Sequence, residues 1–339
     1  MRKRLFSLLL ALTIFFTLTA CGTSSSYEED DGRLSVVASL FPYYDIARAI
    51  GGDKVNVSLL VSAGRESHSY EPTPLDIIDI SRADLFLYNG GADETWASEI
   101  LAATDHGMAI AMMEHVETQE EQLVEGMQAD RGHDHSHEEE DCDDPAHDHE
   151  EESDHEDDPH AHEIEYDEHI WTSPVNAMTI AKVTADALCA LDGENAAYYE
   201  ENLTRYLEEL NTLDAAMRET VAAGKRNLIV LADRFPLLYF CKEYGLDYRA
   251  AFLGCSTETE PSAATMAYLI DRVRDEHIPC VYYLENSSGI VAEAIAEATN
   301  AEPCLIYSCQ TISVDDHRSG ETYLSLMWRN VEALQKGLT

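Results

Sequence analysis

The sequence predicts an α/β protein of two similar lobes, each a mostly parallel sheet with flanking helices, joined by one long helix. Three observations carry this. Short apolar or β-branched runs alternate with amphipathic segments through residues 34–113 and again through 228–338, the pattern of strand-helix-strand units. Between the two sets, Asn195 to Ala223 keeps apolar residues at helical spacing (Leu203, Tyr206, Leu207, Leu210, Leu213, Met217, Val221). That is long for a globular helix and suited to bridging two lobes. The length beyond the amino-terminal segment, roughly 300 residues, fits two domains of ordinary size.

The elements follow in order. Leu34 to Leu40 is a β-branched run read as a strand. Pro42 then suits the first turn of a helix, which Gly51 and Gly52 close. Val55 to Val61 predicts a strand, Pro74 to Ala83 a helix, Asp84 to Tyr88 a strand, Glu94 to Ala103 a helix and Met108 to Met113 a strand. Pro174 opens a helix to Leu191, and the long helix follows. The second set comprises strand Leu228 to Leu231, helix Phe235 to Tyr244, strand Tyr248 to Phe252, helix Ser262 to His277 and strand Val281 to Leu284. Helix Ile290 to Thr299, strand Cys304 to Tyr307 and helix Thr322 to Leu338 complete it. The resulting boundaries are an N-terminal lobe over 34–194, a linking helix over 195–224 and a C-terminal lobe over 225–339. Ligands of open parallel sheets gather beyond the carboxyl ends of the strands, so the cleft between facing lobes is the expected binding site.

The amino terminus predicts the compartment. Arg2, Lys3 and Arg4 precede an apolar run from Leu5 to Leu18, long enough for a signal peptide and short for a membrane span. Leu18, Thr19, Ala20 and Cys21 match the lipobox of bacterial lipoproteins. Residues 1–20 would be removed, Cys21 would carry the lipid, and 21–33 would form a flexible tether at the outer face of the cytoplasmic membrane.

A formal net charge of -43 excludes a nucleic-acid backbone binder, which needs clustered Lys and Arg, and makes cations the expected partners. Residues 115–168 form a His-, Asp- and Glu-rich loop predicted to be disordered, since such a segment cannot bury enough apolar surface to fold alone. A solvated linker accounts for its acids. It does not account for the repeated His-x-His pairs. Imidazole and carboxylate are ligands of divalent transition metals, so His133, His135, His137, His147, His149, His155, His160 and His162 are read as auxiliary metal sites. Of the seven cysteines other than Cys21, Cys142 sits in this loop and no pair has C-x-x-C spacing. Disulfides persist outside the membrane. One or two are expected among the last five cysteines, with Cys255 and Cys309, both at strand exits, the first pair to test.

Four segments carry a resemblance: SLFPYYDIARAIGGDKVNVSLLVSAGRESHSYEPTP, DEHIWTSPVNAMTIAKVTADAL, EYGLDYRAAFLGCSTETEPSAATM and GETYLSLMWRNVEAL. Together they resemble the zinc- and manganese-type solute-binding proteins of metal ABC transporters. The resemblance implies two α/β lobes linked by a rigid long helix, with the metal in the cleft between them. It implies that His68, in GRESHSYEPTP, and His169, in DEHIWTSP, are metal ligands. Where zinc-type relatives have a third histidine and manganese-type relatives a glutamate, this chain has Arg234, and a guanidinium cannot coordinate metal. Asp233 beside it is the substitute ligand; alternatively Arg234 pairs with Glu258 or Glu260 and braces the cleft. The fourth position falls near Cys309, Gln310 and Thr311. Asp315, Asp316 and His317 read as a solvated turn, and Glu285 as a brace of the cleft through hydrogen bonds.

Imidazole ligands and the His-rich loop point to Zn2+, with Mn2+ or Fe2+ the alternatives that the missing third histidine leaves open. The function that follows is an extracytoplasmic protein, monomeric and lipid-anchored, that captures zinc and delivers it to an ABC-transporter permease without catalysis. A surface metal-buffering or adhesin lipoprotein is the second class. A metalloenzyme is the third, and HEIEYDEH at His162 to His169 lacks the His-Glu-x-x-His spacing that sets two ligands on one helical face.

Overall fold

The computed structural model describes residues 32–128, 165–256 and 260–339. The chain divides into a segment 1–33 and one compact unit, Leu34–Thr339. The signal peptide, Cys21 and the eight auxiliary histidines lie outside the described residues, as does Cys142.

The unit holds two four-stranded parallel sheets of identical topology. In the first, β1 (Leu34–Ala38), β2 (Val55–Leu59), β3 (Leu85–Tyr88) and β4 (Met108–Ala111) stand in the order β2-β1-β3-β4. In the second, β5 (Leu228–Arg234), β6 (Asp247–Phe252), β7 (Cys280–Leu284) and β8 (Glu302–Ile306) stand in the order β6-β5-β7-β8. Each chain path reverses direction across its sheet, between β2 and β3 and between β6 and β7. A crevice therefore opens at the carboxyl end of each central strand, where parallel sheets bind ligands.

Local chemistry sets the helices. α1 (Phe41–Gly51) has proline in its first turn and ends at Gly52, whose φ of 53° favours glycine. α2 (Pro74–Arg82) is opened by a Thr73–Asp76 capping box, in which each residue satisfies the other's free amide. α3 (Thr95–Ala103) returns the chain to β4. Ser173 caps α4 (Pro174–Leu191), which runs into the 28-residue α5 (Ala196–Ala223), about 42 Å long at helical rise. α6 (Leu238–Tyr244), α7 (Ala263–Asp275), α8 (Ile290–Ala298), α9 (Val314–Ser319) and α10 (Tyr323–Leu338) dress the second sheet.

The long helix touches both lobes. It packs on α1 and α4 of the first and on α6 and α10 of the second, and Asn202 donates to the Ile50 carbonyl at 2.8 Å. α10 starts against α1, where the Tyr323 amide donates to the buried Asp45 carboxylate at 2.8 Å. Trp171 Nε1 donates to the Ser308 carbonyl at 2.8 Å, and the Gly64 amide to the Ile312 carbonyl at 2.8 Å. Buried residues of both sheets and of the linking helix form one continuous apolar cluster, so the lobes are joined by core as well as by chain. Among the described residues no helix is long and apolar enough to cross a membrane.

The elements agree with expectation to within a few residues, and three differences have causes. The helix expected from Phe235 begins at Leu238, because Pro236 drives Phe235 out of the helical region; the Phe235 ring stacks on Tyr248 at 3.7 Å instead. Asp315, Asp316 and His317 form the short helix α9 and not a turn, because Ser313 caps it and Asp316 pairs with Arg329. The loop expected to be disordered from residue 115 is ordered through Gln128 and again from Glu165. Glu120 bridges to Tyr166 in antiparallel fashion, and Gln128 to Phe252 in parallel. The base of the acidic loop thus crosses from the first lobe to the edge of the second sheet.

Candidate functional site

Loops at the carboxyl ends of the strands enclose a cavity of about 300 Å³ whose walls include His68, His169, Asp233, Arg234 and Glu285. His68 comes from the loop after β2. Its Nδ1 lies 2.5 Å from the Asp93 carboxylate, and its side chain is only 3% exposed. His169 comes from the turn ahead of α4 and is fully buried. Asp167 Oδ1 accepts from the His169 amide at 2.9 Å and lies 3.3 Å from Nδ1. Each imidazole is thus oriented by its own carboxylate, the arrangement that fixes tautomer and ring direction at metal centres. The two rings lie side by side, tilted by 54° with centroids 5.5 Å apart. Nδ1 of His169 being turned to Asp167, its Nε2 is buried and, among the described residues, has no hydrogen-bond partner. A buried, unpartnered ring nitrogen costs free energy unless something else satisfies it.

Trp171 sets the position of His169 by an edge contact, centroids 5.6 Å apart. Gly254 lets the loop after β6 pass close: a Cβ there would meet the Phe235 carbonyl at 2.8 Å, Asp167 Oδ2 at 3.1 Å and His169 Cε1 at 3.2 Å. On the opposite wall Glu285 accepts from the Ser308 amide and hydroxyl and from the Cys309 amide, at 2.7–2.8 Å. It is the brace expected from the sequence, and it holds Cys309 in a left-handed conformation with φ 59°.

Asp233 lines the cavity, but its carboxylate is engaged by the amides of Arg234 at 2.9 Å and Leu284 at 3.5 Å. Among the described residues, the group whose ligand atoms lie within 4.8 Å of one another is instead His68, Asp93 and Cys255. Among the described residues Arg234 makes no ion pair with Glu260, one of the two glutamates expected. Glu258 lies outside the described residues, and Arg234 pairs with Glu66 across the cleft, Nη2 to Oε2 at 2.7 Å. Of the residues near the fourth position, Gln310 and Thr311 line the cavity while Cys309 is buried beneath it.

The expected Cys255–Cys309 disulfide is absent: all six described cysteines are free. Cys255 follows β6 and Cys309 follows β8, and the sheet order puts these strands at opposite edges. Three strand spacings, roughly 14 Å, separate the two exits, too far for a bridge. The sulfurs that do meet are Cys280 and Cys304, 2.7 Å apart on neighbouring strands.

The site is rich in buried acid. Burial pushes Glu94, Glu168 and Glu285 up to about 7 each, with Asp93 adding to the rise at Glu168. Burial opposes protonation of His169, yet Asp167, with Glu168 and Asp93, lifts it above its ordinary value. A group whose value is raised on folding contributes most stability below its unfolded value and loses it as pH rises through the folded one. All four act in the same direction. The melting temperature of the metal-free protein should therefore fall by several degrees between about pH 5 and about pH 8. Scanning calorimetry checks this, and a rising or flat profile would contradict it.

Two α/β lobes meeting at the carboxyl ends of their strands, with a pair of carboxylate-oriented imidazoles in the cleft, define a bilobal metal-binding protein. Residues 36–337 match the family described as zinc-uptake complex component A, periplasmic (ZnuA). The chain is 32% identical over 342 residues to the high-affinity zinc uptake system protein ZnuA of Bacillus subtilis, covering 100% of this chain and 99% of that one. It is 31% identical over 330 residues to the zinc-binding lipoprotein AdcA of Streptococcus pneumoniae; that match takes in 97% of this chain and spans 60% of the length of AdcA. The Zn(II)-bound ZnuA-like domain of the same AdcA superposes with a TM-score of 0.69 at 27% identity, over 91% of this chain and 99% of the domain. The chain belongs to the ZnuA family.

Proposed function

We propose that this protein captures Zn2+ outside the cell and delivers it to an ABC-transporter permease, with His68 and His169 as ligands in the cleft. One observation carries the reading. Nε2 of buried His169 has no hydrogen-bond partner among the described residues, and the ring of His68 lies beside that of His169 with centroids 5.5 Å apart. Imidazole pairs suit zinc, and the matched relatives are named for zinc uptake or zinc binding. The carboxylates of Asp93 and Glu168 beside the rings are the observation on the side of manganese or iron, which prefer oxygen. Two imidazoles put zinc first.

In this reading the lobes are 34–194 and 225–339, with 195–224 the linking helix. The chain works as a monomer, tethered through lipid on Cys21, and holds its ion without catalysing a reaction. The histidines of the acidic loop collect metal weakly and pass it to the cleft. Titration of the metal-free protein with Zn2+ against a chelating indicator is expected to show one tight equivalent above several weak ones. Absence of any tight equivalent would overturn the proposal.

A further inference from the structure

We infer that Cys255 supplies a sulfur ligand to the ion, so that the cleft holds metal through His68, His169 and the Cys255 thiolate. The inference rests on the cleft-metal reading above and adds to it the third ligand, which Arg234 denies at its own position.

Two independent observations converge. A ring nitrogen of His68, a carboxylate oxygen of Asp93 and the sulfur of Cys255 all lie within 4.8 Å of one another. Separately, Nε2 of fully buried His169 has no hydrogen-bond partner among the described residues. The residue before the cysteine, Gly254, passes within 3.2 Å of the His169 ring, measured from the Cβ it lacks. Asp93 is engaged by His68 Nδ1, which makes it the orienting carboxylate of His68 as Asp167 is of His169, and leaves the sulfur as the further donor.

The loop that bears Cys255 is held in place from both sides. The Cys255 amide donates to Glu121 at 3.2 Å, from the ordered base of the acidic loop. Arg234 donates to the Ser256 carbonyl at 3.3 Å and to both oxygens of Glu66. The guanidinium therefore ties the residue after Cys255 to a residue two before His68. In place of a ligand, position 234 carries a clamp that brings two ligand-bearing loops together.

Binding breaks the S–H bond and forms a sulfur–metal bond, and the proton leaves to solvent. A thiolate beside two imidazoles favours zinc and disfavours manganese.

Cobalt(II) is the probe, because thiolate ligation gives an intense near-ultraviolet charge-transfer band that nitrogen and oxygen ligands do not. The full-length protein loaded with one equivalent of Co2+ is expected to show that band, Cys255→Ser to lose it, and Cys189→Ser to keep it. Zinc affinity, read by chelator competition, is expected to drop tenfold or more in Cys255→Ser, with manganese affinity changed much less. In the unmutated protein, one equivalent of zinc should protect Cys255 from alkylation, read by peptide mass mapping. A cobalt-loaded parent with visible ligand-field bands and no charge-transfer band would overturn the sulfur ligand while leaving the cleft site standing. So would alkylation of Cys255 undiminished by zinc. Failure of the parent to bind either metal tightly would remove the cleft reading, and this inference with it.

Discussion

Replacing His169 by Ala is expected to lower zinc affinity at least about 100-fold, ~3 kcal/mol of binding free energy. The reason lies in how the ring is held. His169 has no exposed surface, its Nδ1 is turned to Asp167, and Nε2 is the one ring nitrogen left for an ion. Removing it deletes a nitrogen from a site with few ligands and leaves Asp167 and Glu168 buried beside a void. The void next to Trp171 also costs stability, so the Ala variant alone would not separate loss of a ligand from loss of packing. His169→Gln keeps most of the volume and is expected to lose affinity comparably while melting closer to the parent. Competition titration against a zinc chelator reads both. Parent-like affinity in the two variants would put the ion elsewhere in the protein.

Much of this was legible in the sequence because it depends on local pattern. The alternation of apolar and amphipathic runs located all eight strands of the described residues, since a parallel strand buried on both faces reads as a short apolar run whatever its neighbours do. His68 and His169 were found through the motifs around them, and the structure brings their rings within 5.5 Å, centroid to centroid. Partners distant in sequence were not legible. Nothing near Arg234 announces Glu66, which is 168 positions away and reaches it only because the two lobes close on each other. Cys255 was read as half of a disulfide because its exit from a strand was visible while the order of strands was not. Asp93 lies in the GGADETW segment after β3 and shows no metal motif; its role follows from the folded distance to His68. The Asp167 and Glu168 pair ahead of His169 did carry a signal. Two acids next to a ligand histidine are the residues best able to orient it, yet inside an acidic run they look like more of the same.

The boundary of the acidic loop gives the second large expected effect. Replacing residues 132–164 with a short Gly/Ser linker should leave the tight zinc site within a few-fold of the parent, because the replaced residues lie beyond the ordered strap that ends at Gln128 and flexible linkers impose little on their ends. Extending the replacement by three residues, through Asp167, should abolish tight binding. Those three residues form the return half of a small ladder: the Glu121 amide donates to the Glu165 carbonyl at 2.9 Å and the Asp167 amide to the Gln119 carbonyl at 2.8 Å. Tyr239 then donates from the second lobe to the Asp167 carbonyl at 2.7 Å. Losing the ladder releases Glu121 and with it the loop of Cys255; losing the Asp167 side chain frees the His169 ring to turn. Partners that orient a metal-bound histidine are typically worth about 10- to 100-fold in affinity on their own, and here the ladder goes with them. Asp167→Asn in the intact chain isolates the carboxylate and should lie between the two replacements. Equal zinc affinity for the shorter and longer replacements would mean that the ordered base of the loop contributes nothing to the site.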